Sequence, residues 1–209
     1  AALGIDERTA QISLRLEALR MFYGLCSNIN ISEVHTADLW KLLSSSPHDL
    51  EAIFAFFEDG CRNVKDRFSV FGDADLSSVI TTYVCSPVID WSNCGDHAFS
   101  CLTLCFHRIS PAESEYITLV DTLWRAALNI PDDKNTRIAA QYLLEAYDDL
   151  TVVDSVYDGR LLQVTLEHLC KVQEECKSST APVSPQRKVQ ASRCIDLLSM
   201  AITRSKSVS

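Results

Sequence analysis

The sequence is poor in the residues that turn a chain sharply, with 6 Gly and 6 Pro in 209 residues. An all-β protein with many tight turns needs more of both. No segment alternates apolar and polar residues convincingly over the length of a strand, so the half-buried strand is not the building unit. No apolar run reaches about 18 residues, and no transmembrane helix is expected. Dense runs of Lys and Arg are also missing: 19 basic residues stand against 28 acidic ones, a net charge of −9. That balance argues against nucleic acid or an anionic membrane as partner. The opening residues, Ala1 to Asp6, lack the basic region and apolar stretch of a signal peptide. There is no initiator Met, and the chain is read as an excised segment of a longer intracellular, cytoplasmic protein. No cofactor is expected.

What the chain has instead is helical periodicity and a 47% hydrophobic content, enough for a substantial core or an extended helical segment. Two stretches share a signature. Leu39-Trp40-Lys41-Leu42-Leu43 is followed by Pro47 and Asp49; Leu123-Trp124-Arg125-Ala126-Ala127-Leu128 is followed by Pro131 and Asp133. The offsets 124 − 40, 131 − 47 and 133 − 49 are all 84, twice 42, and about 40–47 residues is one helix-pair repeat of a HEAT or armadillo array. In each copy a Leu-Trp helix is expected to stop seven residues after its Trp, with Pro opening the next helix.

Apolar spacing and cap residues place about nine helices in order. The first covers 6–25, on Ile12, Leu16, Leu19 and Tyr23. The second covers 32–44, and the third starts at Ser46-Pro47, with Gly60 as its stop. A loop at 62–74 precedes a fourth helix at 75–85; Val88 to Trp91 is extended or a turn; a fifth helix covers 94–109. Ser110 to Glu113 reads as a capping box for the sixth, which holds Leu123 and Trp124. Pro131 and the acids after it open the seventh, and the eighth covers 158–176. The predicted organisation is a helical-repeat segment at 1–176, a flexible linker or long loop at 177–186, and a final helix with a polar tail at 187–209.

The segment from Ile12 to about Leu150 resembles the helical, non-catalytic region of the very large ubiquitin-specific proteases of the fat facets class. The resemblance is carried by Arg15-Leu16-Glu17-Ala18-Leu19-Arg20, by Leu39-Trp40-Lys41, and above all by Leu123-Trp124-Arg125. Asp132-Asp133, Arg137-Ile138-Ala139 and the run from Leu143 to Tyr147 follow the last of these. It implies an armadillo- or HEAT-like solenoid beside a cysteine deubiquitinase domain in the same parent chain, with ubiquitinated substrates or adaptors as protein partners. The family's Gly-Asn-Thr-Cys box and its Gly-His-Tyr-like box are both absent, so this segment is expected not to cleave ubiquitin. The alternative is a HEAT-repeat adaptor of an unrelated intracellular complex.

Nine Cys is a high, odd count, and without an export signal it fits a reducing compartment. Cys94, His97, Cys101 and Cys105 have zinc-like residue types, but they span 11 residues of one helix, roughly 16 Å of rise. One zinc holds its ligands within about 2.0–2.3 Å, so the stripe reads as a packing face. Pairing Cys105 with a distant His as a catalytic dyad is the weaker reading. Trp40 and Trp124 read as packing residues between helices. Trp91, in an extended stretch, and Asp148 and Asp149, at a helix end where the dipole disfavours them, are the candidate protein contacts. Ser184, in Ser184-Pro185-Gln186-Arg187, is a candidate phosphorylation site. Asn30-Ile31-Ser32 matches a glycosylation acceptor, which means little without a secretory signal, and Ser32 reads as a helix cap.

Overall fold

The computed structural model of the protein describes residues 5–25, 31–44, 46–62, 80–107, 110, 114–157, 159–178 and 184–208. These residues are all-helical, with eight α-helices and no strand among them. The chain divides into two compact units, Ala1–Ser110 and Pro111–Ser209.

The first unit holds α1 (Ile5–Leu25), α2 (Glu33–Leu43), α3 (Pro47–Arg62) and α4 (Asp96–Phe106). Ser32 caps α2: its hydroxyl accepts from the backbone N–H of His35, satisfying one of the donors left open at a helix start. Helix α3 is the centre of the unit, packing on α1, α2 and α4. Ile53, Phe54 and Phe57 on it are fully buried, each worth roughly 1.5–3 kcal/mol of apolar burial. The Trp40 ring of α2 lies against Phe54 and Phe57 at centroid distances of 5.9 and 6.4 Å, and against Tyr83 at 5.2 Å. Trp40 is thus a packing residue, as its Leu neighbours suggest.

Three details differ from expectation. Gly60 does not stop α3, which continues to Arg62 with Gly60 buried inside it; with no side chain it permits close packing there. The described part of the fourth predicted helix, Ile80–Val84, is a turn of π-helix. The fifth predicted helix is shorter at both ends, because Asp90 caps a 3₁₀ turn, Trp91–Asn93, before α4 begins. The predicted loop at 62–74, apart from its first residue, lies outside the described residues, as do Cys26 to Asn30.

The second unit holds α5 (Ser114–Asn129), α6 (Asp133–Val153), α7 (Arg160–Ser178) and α8 (Pro185–Val208). Helix α5 packs on α6 and α8, and α7 on α8 and α6. The final helix therefore belongs to this packed unit. Residues 179–183, the middle of the predicted linker, lie outside the described residues. The core runs through Leu119, Leu123, Ala126, Ala139, Leu143 and Ala146, all fully buried. Ala139, Leu143 and Ala146 follow four- and three-residue steps on α6, and the two alanines let α5 approach closely. Leu-Trp helices stop earlier than expected, at Leu43 and Asn129. Pro131 does not open α6: Asp132 is its N-cap, accepting from the backbone N–H of Asn135 at 2.7 Å. The acids after Pro131 open the helix as expected: Asp132 satisfies an open donor, and Asp133 stands in the first turn at the positive helix end.

Candidate functional site

The second unit carries a groove of about 500 Å³ between α5, α7 and α8. Trp124, Arg125 and Leu128 line it from α5; Val164, His168, Lys171 and Val172 from α7; Arg187, Gln190 and Cys194 from α8. Helical period explains the lining. Positions 164, 168, 171 and 172 are spaced by four, three and one, one face of a helix.

Trp124 anchors the floor. It is 4% exposed, and its Nε1–H donates to the Tyr147 hydroxyl at 3.1 Å. Its ring stacks on His168 with centroids 5.1 Å apart and planes at 28°. Burial disfavours the charged imidazole and holds His168 below its ordinary value, with Lys171 pushing the same way. Burial also raises the Tyr147 hydroxyl, against the opposing effect of the Trp124 hydrogen bond.

The walls are tied to the end of α5. Asn129 Oδ1 accepts from Gln190 Nε2 at 2.8 Å. Arg193 donates to the carbonyls of Ile130, at 2.6 Å, and Ala127, closing helix-end acceptors with a cation where the dipole favours one. Around the rim, Arg125, Lys171 and Arg187 are basic, and Asp121 is acidic.

A groove of about 440 Å³ in the first unit, between α1 and α3, has the opposite character. There Arg20 pairs with Glu17 and with Asp59, the latter at 3.0 Å, so two acids meet one base.

Of the predicted contact residues, Trp91 lies in the first unit and Asp148 and Asp149 in the second. Trp91 is 2% exposed, which corrects the expectation of an accessible indole: the 3₁₀ turn folds the ring inward. Among the described residues its Nε1 has no acceptor. Asp148 and Asp149 are exposed on α6. Asp148 pairs with Arg204 of α8 at 2.6 Å, and Asp149 accepts from the Tyr116 hydroxyl at 3.1 Å. Ser184 is exposed at the start of α8 and its hydroxyl accepts from the backbone N–H of Arg187 at 3.3 Å.

The cysteine stripe packs α4 on α3. Cys101 and Cys105 are fully buried, and Cys101 Sγ donates to the Phe54 carbonyl at 3.2 Å. Cys94 Sγ donates to the Asp90 carbonyl at 3.3 Å. Burial, with Glu51 and Asp90 nearby, pushes its thiol up to about 12, the reverse of what a nucleophile needs. His97 is exposed and pairs with Glu58 at 2.6 Å. Among the described residues, no three His, Cys, Asp or Glu side chains are grouped to hold a metal ion. None of their helices is long and apolar enough to cross a membrane.

Sequence reasoning did not single out His168, Lys171 or Arg187. They lie on two different helices, α7 and α8, and only the packing of those helices brings them together. No protein-family model, curated protein or solved structure matches the chain.

Proposed function

We propose that the chain is a non-catalytic, protein-binding scaffold: an armadillo- or HEAT-like α-solenoid segment of a large cysteine-type deubiquitinase. The observation that carries the scaffold reading is the recurrence of one Leu-Trp helix in each compact unit. Trp40 on α2 precedes and packs on α3; Trp124 on α5 precedes α6 and hydrogen-bonds to Tyr147 on it. A helix pair built on the same residue 84 positions apart is how a helical array repeats its unit. Exposed apolar residues in register support a surface made for contact. Leu14 and Met21 on α1 are 70% and 56% exposed, and Ile195 and Ile202 on α8 are 55% and 51% exposed.

The deubiquitinase assignment rests on the resemblance around Leu123 to Tyr147. Its test is the full open reading frame of the parent. Codons for a Gly-Asn-Thr-Cys box and a Gly-His-Tyr-like box are expected outside this segment. A complete parent frame lacking both removes the deubiquitinase and leaves an adaptor of another complex. The segment itself, incubated with a ubiquitin–fluorophore conjugate, is expected to give no turnover; cysteine-dependent cleavage overturns the scaffold reading.

A further inference from the structure

We propose that α1 is a detachable strap: it opens from α3 as a unit while α2, α3 and α4 stay folded, and in opening it uncovers the face of α3 along their seam. Three observations carry this. The first is the balance of burial. Between Glu7 and Tyr23, Leu16 and Tyr23 are buried and Ile12 and Leu19 half-buried. Leu14, Met21 and Phe22 point away from that stripe and are more than half exposed. The apolar residues of α1 are thus shared between a covered side and a bare one. Helix α3 spends its own inward: Ile53, Phe54, Phe56 and Phe57 are all buried.

The second is the seam. Between α1 and α3 it stays open as a groove of about 440 Å³, lined by Ser13, Leu16 and Arg20 on one side and Ala52, Ala55 and Phe56 on the other. Thr9, Ser13, Ala52 and Ala55 also border an opening of about 710 Å³ toward the start of α4. Short side chains facing each other across an unfilled gap lack the dispersion contacts of a packed core. The third is the fastening. Among the described residues, two side chains tie α1 to the rest of its unit by ion pairs: Arg8 meets Asp49 at 2.9 Å, and Arg20 meets Asp59 at 3.0 Å. They grip α3 toward its two ends. Opening breaks two ion pairs and frees few buried side chains, whereas unfolding α3 dismantles the centre of the unit. Elements with few buried apolar contacts open below the global transition. Off α3 the helix loses the tertiary packing that supplies most helical stability, so its amides exchange in the open state.

The experiment is native-state hydrogen exchange of the whole chain, read by mass spectrometry without urea and in urea below the unfolding midpoint. Amides from Ile12 to Leu19 are expected to exchange together, at least about 100-fold faster than those from Ile53 to Phe57. Arg8→Ala leaves the buried Asp49 carboxylate unpaired and is expected to speed exchange of α1 about tenfold. Arg20→Ala removes a more exposed pair and is expected to speed it about threefold. Exchange of α3 should stay unchanged in both. Glu17→Gln weakens only the pair within α1 and should change its exchange by less than about twofold. The wild-type comparison stands without any variant. One common rate for α1 and α3, or an α1 better protected than α3, overturns the proposal. So does a middle of α1 as slow as α3 with only its ends fast, which is fraying. Unchanged exchange of α1 in either Arg variant, equal acceleration of α3, or a Glu17→Gln effect as large as that of Arg20→Ala overturns it as well.

Discussion

Glu51 of α3 reaches the start of α4 and holds Gly95: its carboxylate accepts from the Gly95 N–H at 3.1 Å and from the His97 N–H at 2.9 Å. Gly95 is the N-cap of α4 and offers no side-chain cap of its own. The carboxylate of another helix therefore does what a capping Ser or Asp does locally. The first turn of α4 thus takes its cap from α3. Glu58, about two turns along the same face of α3, adds a second tie, accepting from the Ser100 hydroxyl at 2.7 Å.

Replacing Glu51 by Ala opens both N–H groups and removes the charge at the positive helix end. A loss of about 1–2 kcal/mol is expected. Glu51→Gln, which keeps an acceptor, should lose less. A Cβ on Gly95 would stand 2.6 Å from Glu51 Oε1, so Gly95→Ala should displace the carboxylate and cost about as much as Glu51→Gln. Urea unfolding of the four proteins checks the order; Glu51→Ala at wild-type stability would show the cap to be idle.

The buried Trp124–Tyr147 hydrogen bond should resist substitution differently. Tyr147→Phe leaves the indole N–H without its acceptor in a site where Trp124 is 4% exposed. A loss of about 1–3 kcal/mol follows from the unpaired donor. In a Trp124→Phe background the same change removes no hydrogen bond and should cost less. Equal costs in the two backgrounds, measured by thermal unfolding, would show that the bond contributes nothing.

The Asp148–Arg204 pair makes the contrast. Its side chains are 62% and 43% exposed, and water screens such a pair well. Arg204→Ala should change stability by less than about 0.5 kcal/mol. A loss above about 1 kcal/mol would mean that α8 depends on this contact to stay on α6.

The elements that local residues decide were legible in the sequence. Ser32 caps α2, α3 starts at Pro47, and the apolar steps of α1 and α5 match their helices. What failed was set by tertiary partners. Gly60 reads as a stop, yet α3 runs on through it. Trp91 reads as accessible because Pro87 breaks the helix before it; the Asp90-capped turn then buries the ring. The groove was not legible because its residues are common singly: Lys171 and Arg187 belong to different helices, and only packing of α7 on α8 brings them to one rim.

His168 gives the fold a dependence on acidity. Its folded-state value lies below the ordinary imidazole value, with burial the main cause and Lys171 the second. The unfolded chain therefore takes up the proton first as pH falls. The stabilisation is fully present above the ordinary value near 6.5 and is lost as pH drops toward the folded-state value. His168→Phe keeps a ring on Trp124 and removes the titration, so its Tm should fall less than that of the wild type between neutral pH and about pH 5. An identical fall would assign the acid sensitivity to other groups.

Thiol reactivity separates packing cysteines from a nucleophile. Burial pushes the Cys94 thiol up to about 12 and that of Cys194 up to about 11, and Cys101 and Cys105 are fully buried. Cys170 is exposed on α7. Alkylation needs the thiolate and access to it. Iodoacetamide at about pH 8, where an ordinary exposed thiol is partly ionised, should label Cys170 in the native protein and spare Cys94, Cys101, Cys105 and Cys194 until denaturant is added. Peptide mapping by mass spectrometry reads the order. Labelling of Cys94 ahead of Cys170 would show an activated thiol just before α4, beside Glu51 and Asp90, and the packing role assigned to Cys94 would then fail.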